Sequence, residues 1–386
     1  MTNVAIVGAA QTRFGEQWNK SLRDLSVEAG KLVLEDSGLH GTEVQALYIG
    51  NMSAGRFIGQ EHLSALAADQ AGLIPIPATR CEAACASGAL AFRQAYLAIA
   101  SGKYDVVMAA GAEKMTDLKT SDVTTSLIGA GDQEWEAGIG MTFPALYALM
   151  ARAHMHKYGT TSEQLAQVAV INHKNAVGNK NAQYQTEITI NDVLNSPMVA
   201  SPLHLLDCSP ITDGAASLIL VSEKLAKKFP NPVWILASEQ ASDTIALHDR
   251  ASLTELAAAK HAAKLAYEAT KLKPSNINVA EVHDCFTINE ILSLESLGFC
   301  KSGTGGSFIQ DGNVLVNGQI PTNTTGGLKA IGHPVGATGI RQIVDIVKQL
   351  RGKSHNQVKG ADIGLTMNVG GSGASAVVNI LSGEMK

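Results

Sequence analysis

Short apolar runs alternate along the chain with longer stretches in which apolar residues recur every three or four positions. The runs 4–10, 46–52 and 105–111 are bounded by glycine or polar residues, which is typical of buried β-strands. The periodic stretches 21–34 and 88–101 predict helices between them. This alternation of strands and helices favours a layered α/β architecture.

The C-terminal third repeats the alternation. Apolar periodicity predicts helices over 253–270, 288–297 and 340–350, and strands over 363–368 and 375–381. We therefore expect two similar α/β halves, although sequence identity between them is too low to establish a duplication.

The middle of the chain differs from both halves. Residues 117–140 are polar and contain glycine with little periodicity, whereas a helix is predicted from Pro144 to Gly159. Loops on a rigid scaffold commonly supply ligand contacts. We predict three segments: an N-terminal half (1–115), an inserted cap that returns to that half (116–245) and a C-terminal half (246–386).

Composition narrows the class of protein. Of the 386 residues, 45% are hydrophobic and 17% charged, which indicates a densely packed enzyme rather than a disordered chain. The net charge of −5 and the lack of basic runs argue against nucleic-acid and membrane-surface partners. Five scattered cysteines without C-x-x-C pairs predict neither a disulfide framework nor structural zinc, and no apolar run suits a signal peptide or a membrane span. A reducing cytoplasm is the expected setting.

Cys85 begins a run of small residues that leads into a predicted helix. A thiol at a helix N-terminus faces unpaired N–H groups and the positive end of the helix dipole, which favour the nucleophilic thiolate. A buried, inert cysteine fits the same position equally well. Other reactive residues must decide between these interpretations.

His283 and Cys285 lie two residues apart at a predicted strand end. Residues at that spacing in extended backbone point to one side, so both side chains are expected to face one pocket. Thr287 and Glu290 have capping-box spacing and predict the start of the following helix. In an arbitrary protein, a histidine bonded to backbone and a buried cysteine would be the commoner interpretation.

Two glycine-rich segments follow. Residues 326–339 surround His333 with glycines that allow close backbone approach, but they lack the lysine-serine/threonine ending of a P-loop, which argues against nucleotide hydrolysis. Residues 368–374 follow a predicted strand, and their backbone N–H groups could stabilise an oxyanion.

Together and in this order, these motifs resemble the thiolase family over essentially the whole chain. The resemblance lies in the run at Cys85, the segments 111–115 and 207–215, the turn 332–334 and the last glycine block. The His-Asp-Cys-Phe sequence at 283–286 is similar to the sterol-carrier-protein-type and archaeal branch, whereas the better-known bacterial branch has Asn-Glu-Ala-Phe there. That branch also carries its second cysteine in a C-terminal Cys-x-Gly motif, where this chain has Asn368-Val369-Gly370.

The resemblance implies a five-layered αβαβα fold of two similar halves with an inserted cap. It also implies an acetoacetyl-CoA thiolase, which condenses two acetyl-CoA to acetoacetyl-CoA and CoA, or reverses this by thiolysis, through an acyl-cysteine. The implied roles are nucleophile for Cys85, its base for His333, acid/base for Cys285, polarisation of the thioester oxygen for His283, an oxyanion hole from the N–H groups of Cys85 and Gly370, and a pantetheine contact for Ser238.

Coenzyme A is implied as substrate and product, with no tightly bound cofactor and no metal. The family implies a homodimer or tetramer, and its archaeal members a complex with hydroxymethylglutaryl-CoA synthase and a small OB-fold protein. The alternatives are a thiolase of longer 3-ketoacyl-CoA substrates and a non-catalytic assembly subunit, which should have lost reactive residues. The cysteine at position 285 argues against a ketoacyl synthase. The match of the remaining motifs to thiolases argues against a cysteine protease. Mevalonate synthesis, carbon fixation and acyl degradation all remain open as pathways.

Overall fold

A computed structural model describes residues 2–385. The strands are β1 (Val4–Gln11), β2 (Ala46–Gly50), β3 (Ala78–Cys81), β4 (Val106–Glu113), β5 (Met198–Ala200), β6 (Leu203–His204), β7 (Gly214–Ser222), β8 (Val233–Ser242), β9 (Val279–Glu281), β10 (Ile363–Gly370) and β11 (Ser375–Ser382). The helices are α1 (Leu22–Ser37), α2 (Ala54–Ile58), α3 (Leu63–Gln70), α4 (Ser87–Ala100), α5 (Thr120–Leu127), α6 (Phe143–Tyr158), α7 (Ser162–Ala176), α8 (Ile190–Asn195), α9 (Glu223–Ala226), α10 (Ala257–Thr270), α11 (Thr287–Ser296), α12 (Gly305–Gln310), α13 (Gly327–Ile331) and α14 (Thr338–Leu350).

Nine strands form one hydrogen-bonded sheet in the order β3-β2-β4-β7-β1-β8-β11-β10-β9. The first five belong to the N-terminal half and the last four to the C-terminal half. The halves join where β1 pairs with β8 over two residue pairs, Ala5 with Trp234 and Ile6 with Val233. This short pairing links one strand of each half, while α4 and α14 pack between the strands of the two halves.

Alternating side chains assign the faces of the sheet to different helices. Ala5 and Val7 of β1 pack with α1 residues such as Leu25, whereas Val4 and Ile6 pack on the opposite face with α4 and α14. In the C-terminal half, β10 and β11 pack against α10 and α11. The layers are therefore α1, N-terminal strands, α4 with α14, C-terminal strands, and α10 with α11, which confirms the predicted five-layered architecture.

The two halves repeat one topology. In the first half β1 pairs antiparallel with β7, β7 antiparallel with β4, and β4 parallel with β2. In the second, β8 pairs antiparallel with β11, β11 antiparallel with β10, and β10 parallel with β9. The C-terminal half therefore begins with β8, and the predicted boundary at residue 246 falls after this strand.

Most predicted elements form close to their expected bounds. Helix α6 has Thr142 as its N-cap and ends at Gly159 in the left-handed conformation, and a capping box between Thr161 and Gln164 begins α7. The capping box predicted at Thr287 is wrong, because Phe286 is the N-cap of α11 without a side-chain cap. The Thr287 hydroxyl instead donates to Asp207 Oδ1 at 2.8 Å.

The insertion between β4 and β7 contains α5 to α8 and the β5-β6 hairpin. It covers the C-terminal half, since Leu146 and Tyr147 of α6 and Leu165 and Val168 of α7 share a core with α11. Within residues 2–385, no helix combines the length and apolarity needed to cross a membrane.

Candidate active site

Three reactive side chains meet where the two halves face each other. Cys85 lies just before α4, His333 just before α14 and His283 just after β9. Helices α4 and α14 occupy equivalent places in the repeated topology, so the duplication itself brings Cys85 and His333 together. The Cys85 sulfur and a ring nitrogen of each histidine all lie within 4.8 Å of one another.

A tight turn holds Cys85 at the end of β3. Ala84 adopts φ of 50°, a left-handed conformation that is uncommon for a residue with a side chain. The Ala84 N–H donates to Glu82 Oε1 at 2.6 Å, and the Ser87 hydroxyl donates to the Ala84 carbonyl. Helix α4 begins only at Ser87, so Cys85 precedes the first turn instead of capping it.

The Cys85 thiol is protonated in the resting protein. Burial raises its pKa to about 12, and a hydrogen bond from the Gly371 N–H only partly opposes the rise. Desolvation therefore outweighs the stabilisation of a thiolate that was expected from the helix N-terminus. The thiol needs a base within reach to become a nucleophile.

His333 is placed to serve as that base. Its Nδ1 lies 2.7 Å from the Thr338 hydroxyl, and its Nε2 has no hydrogen-bond partner among the described residues. Burial lowers the pKa of His333 to about 3, so the ring is neutral at physiological pH. A neutral imidazole with an unpartnered nitrogen can take up a proton.

His283 faces the same space and, like His333, belongs to the C-terminal half. It is fully buried, its ring lies edge-on to that of His333 with centroids 5.1 Å apart, and its Nδ1 lies 2.9 Å from Asn368 Nδ2. Burial, and next the neighbouring His333, hold the pKa of His283 well below its usual value. Its Nε2, like that of His333, lacks a partner within residues 2–385.

Cys285 lies close to Cys85. Its thiol is buried, and burial together with the nearby Cys85 raises its pKa well above the usual range. The Tyr147 hydroxyl faces the Cys285 sulfur and opposes that rise. Both cysteines are therefore thiols in the resting protein.

Tyr147 was not among the predicted site residues. Its hydroxyl donates to the Gly371 carbonyl at 2.9 Å, and its ring stacks on Phe286 with centroids 4.6 Å apart. It comes from α6 of the insertion, more than 60 residues from Cys85 along the chain. No sequence motif around it signals this position.

Gly370 was predicted for the oxyanion hole and Ser238 for a pantetheine contact, and only Gly370 lies near Cys85. The N–H that reaches the Cys85 sulfur belongs to Gly371, the residue after the predicted Gly370. Ser238 lies within β8, is only 2% exposed and donates to Asn379 Oδ1 at 2.6 Å. The structure therefore keeps Ser238 inside the sheet and does not bring it to the pocket.

Buried carboxylates hold the loops of the site. Glu113, at the end of β4, accepts hydrogen bonds from the N–H groups of Met52 and Gly336, and so ties the glycine-rich loop beyond His333 to the N-terminal sheet. Asp284 accepts from the N–H groups of Leu328 and Lys329 at 2.7 and 3.0 Å. The residue between His283 and Cys285 thus positions the segment that leads to His333.

A second anchor joins the segments 111–115 and 207–215. Lys114 Nζ lies 2.7 Å from Asp213 Oδ2, and both side chains are buried. Asp213 also accepts from the N–H groups of Met115 and Thr116, and these bonds hold its pKa below the usual value against desolvation. These two sequence motifs are therefore structural supports of the site.

A cavity of about 530 Å³ lies beside the turn that holds Cys85. Its lining includes Ala83 and Ala84 from that turn, and Gly370 and Gly371. Its volume is within the range typical of small-molecule sites. Its lining includes Ala84, the residue before Cys85, but none of the four predicted reactive side chains.

The spacing of Cys85, His283 and His333 would also suit a metal ion. Within residues 2–385, the group formed by Cys85, His283 and His333 is the only one with spacing suited to a metal ion. A thiol and two neutral imidazoles are also a nucleophile with its proton-transfer and hydrogen-bonding partners. Cys285 and the Gly371 N–H lie beside this group and add a second thiol and a hydrogen-bond donor to it.

Comparisons with known proteins cover nearly the whole chain. Residues 4–224 match the family model for the thiolase N-terminal domain, and residues 239–383 match the thiolase C-terminal domain-like model. An acetyl-CoA acetyltransferase of Methanothermobacter thermautotrophicus is 55% identical over 99% of this chain and 100% of that protein. Sterol carrier protein 2 of Homo sapiens is 33% identical over 98% of this chain and 71% of that protein. The solved structure of an Ltp2-ChsH2(DUF35) aldolase has a TM-score of 0.86 at 30% identity, with 98% and 97% of the two chains covered.

Proposed function

This chain belongs to the thiolase family, and on that premise we propose that it is an acetyl-CoA C-acetyltransferase. It condenses two acetyl-CoA to acetoacetyl-CoA and free CoA, and it catalyses the reverse thiolysis. The observation that carries the proposal is the convergence of Cys85, His283 and His333 within 4.8 Å, with both histidine Nε2 atoms unpartnered among the described residues. The 55% identity to an acetyl-CoA acetyltransferase supports this substrate.

Acylation begins with proton transfer from Cys85 to His333. The sulfur attacks the thioester carbonyl, and the backbone N–H groups of Cys85 and of the Gly370–Gly371 turn stabilise the oxyanion. When the C–S bond to CoA breaks, the CoA thiolate takes the proton of Cys285 and leaves as free CoA. The products of this half-reaction are an acetyl-Cys85, an imidazolium at His333 and a thiolate at Cys285.

Condensation uses the Cys285 thiolate as a base. It removes an α-proton from a second acetyl-CoA, while His283 donates a hydrogen bond to the developing enolate oxygen. The enolate attacks the acetyl carbonyl, and Cys85 leaves as a thiolate that recovers its proton from His333. All protons balance, and both cysteines return to the thiol form found in the resting protein.

CoA takes part only as substrate and product in this scheme, which needs no metal because the thioester acidifies its own α-hydrogen. All four proposed reactive side chains are present and brought together, which disfavours a non-catalytic assembly subunit. We also propose a cytoplasmic homo-oligomer that associates with hydroxymethylglutaryl-CoA synthase through a small OB-fold protein. The DUF35 component named for the related solved aldolase supports assembly with a partner protein.

The proposal is tested by supplying the purified protein with acetyl-CoA, acetoacetyl-CoA and longer 3-ketoacyl-CoAs. We expect acetoacetyl-CoA formation from acetyl-CoA, and thiolysis with the highest kcat/KM for acetoacetyl-CoA. A higher kcat/KM for longer chains would favour the alternative thiolase specificity. No acyl transfer with any of these substrates would contradict the proposal.

A further inference from the structure

The two histidines of the site differ in what their Nδ1 atoms meet. Nδ1 of His283 lies 2.9 Å from the side-chain nitrogen of Asn368, whereas Nδ1 of His333 lies 2.7 Å from the hydroxyl of Thr338. An amide nitrogen donates hydrogen bonds and does not accept them. Nδ1 of His283 must therefore accept, and in a neutral ring the single proton then resides on Nε2.

The orientation of the Asn368 amide decides this argument, because its oxygen and nitrogen are distinguished only by their surroundings. The Asn368 oxygen and the backbone nitrogen of Ala89 both lie within 2.3 Å of the point where a Cβ on Gly339 would sit. Ala89 and Gly339 are in the first turns of α4 and α14. Asn368 Oδ1 has no hydrogen-bond partner among the described residues. The positive ends of the two helices favour an oxygen there over an NH₂ group, so the nitrogen of Asn368 is the atom turned to His283.

The surroundings of His333 favour the opposite arrangement. The Thr338 hydroxyl lies 3.1 Å from the Pro334 carbonyl, a group that only accepts. With its single proton directed to Pro334, the hydroxyl oxygen accepts from Nδ1–H of His333. The Nε2 of His333 is then left with a lone pair.

We propose that Asn368 is a positioning residue that keeps a proton on Nε2 of His283, while Thr338 keeps a lone pair on Nε2 of His333. The two imidazoles then face one pocket in complementary states: His283 donates to a substrate oxygen, and His333 accepts the proton of Cys85. The catalytic consequence rests on the proposed function, whereas the proton pattern exists in the resting protein without substrate.

The proton pattern is measured directly by nitrogen NMR of the resting protein labelled with ¹⁵N-histidine. The His283→Gln and His333→Gln variants assign the two rings by the signals that disappear. We expect a protonated Nε2 for His283 and an unprotonated Nε2 for His333. The same tautomer in both rings would overturn the inference, whatever the enzyme's activity.

A variant pair then tests the consequence. Asn368→Asp places an acceptor behind His283 and moves the ring proton to Nδ1. The new carboxylate raises the pKa of His283 from its low parent value, so the variant is assayed at about pH 8.5, where the ring still carries one proton. There we expect the α-hydrogen exchange of acetyl-CoA with deuterated solvent to fall about a hundredfold, the loss typical of one oxyanion donor. Acetylation of Cys85 should stay within about threefold, since His283 has no part in that step.

Asn379→Asp is the matched control, because Asn379 is equally buried on the neighbouring strand and bonds Thr366 and Ser238 instead of a histidine. It should leave the His283 signals and the exchange rate close to those of the parent. Equal losses in both variants, or an unchanged His283 tautomer in Asn368→Asp, would refute the role of Asn368. If Asn368→Asp does not fold, the histidine tautomers in the NMR spectrum of the parent protein decide whether the inference holds. Failure of the parent to be acetylated would instead count against the proposed function alone.

Discussion

The Cys285→Ala variant should separate the two half-reactions. Cys285 is buried beside Cys85, and its raised pKa keeps it protonated until the departing CoA takes that proton. Without it, acetyl-CoA can still acylate Cys85, because solvent can protonate the CoA thiolate. No base is then left to remove the α-proton. Loss of a general base lowers a rate by about a hundredfold or more, which corresponds to about 2.7 kcal/mol in activation free energy.

The structural consequence of the same substitution is smaller. Removing one sulfur atom leaves a void of about one methyl group, which costs about 1 kcal/mol of folding stability. We would measure α-hydrogen exchange of acetyl-CoA in deuterated solvent alongside the mass of the acetylated protein. Cys300→Ala is a suitable control, because it removes a partly buried thiol outside the site. Exchange at the parent rate in Cys285→Ala would refute the base assignment.

Three further predictions concern the supports and the ionisation of the site. Lys114→Met should lower the unfolding free energy by about 3 kcal/mol, because it leaves Asp213 buried without its cation. Adding Asp213→Asn to that variant should recover part of the lost stability. Equal stability of the parent and Lys114→Met would contradict this role of the ion pair. Gly111→Ala places a Cβ against the Gly336 carbonyl oxygen, in the glycine-rich loop beyond His333, and should reduce turnover. Gly30→Ala is the control, because open space surrounds the added Cβ, and it should leave turnover unchanged. Equal turnover in both variants would count against the close contact. Because burial raises the pKa of Cys85 to about 12, its alkylation by iodoacetamide should rise about tenfold per pH unit between about pH 6 and 9, and a plateau near neutral pH would show a preformed thiolate.

The reactive residues could be predicted because they lie in short motifs at element boundaries. Cys85 and His333 each precede a helix with strong apolar periodicity, and His283 and Cys285 follow a strand, so local patterns indicated where they would lie. The duplicated topology then brings the three segments together. Long periodic elements such as α6 and α14 were predicted close to their bounds for the same reason.

The errors arise where distant residues compete for a group. The hydroxyl of Thr287 bonds Asp207, which is 80 residues away, instead of capping its own helix. Ser238 turns inward because β8 pairs with β11, and this register is set by contacts across the sheet. The ionisation of Cys85 depends on its depth of burial, which no local motif reveals. Tyr147 and Asn368 likewise acquire their places only through tertiary packing.

The central claim is that acyl transfer passes through Cys85. The most direct measurement is peptide mass spectrometry of the protein quenched after brief incubation with acetyl-CoA. We predict one acetyl group on the peptide that contains Cys85, retained in Cys285→Ala, absent in Cys85→Ala and discharged by added CoA. Condensation without that adduct, or turnover by the Cys85→Ala variant, would contradict the account.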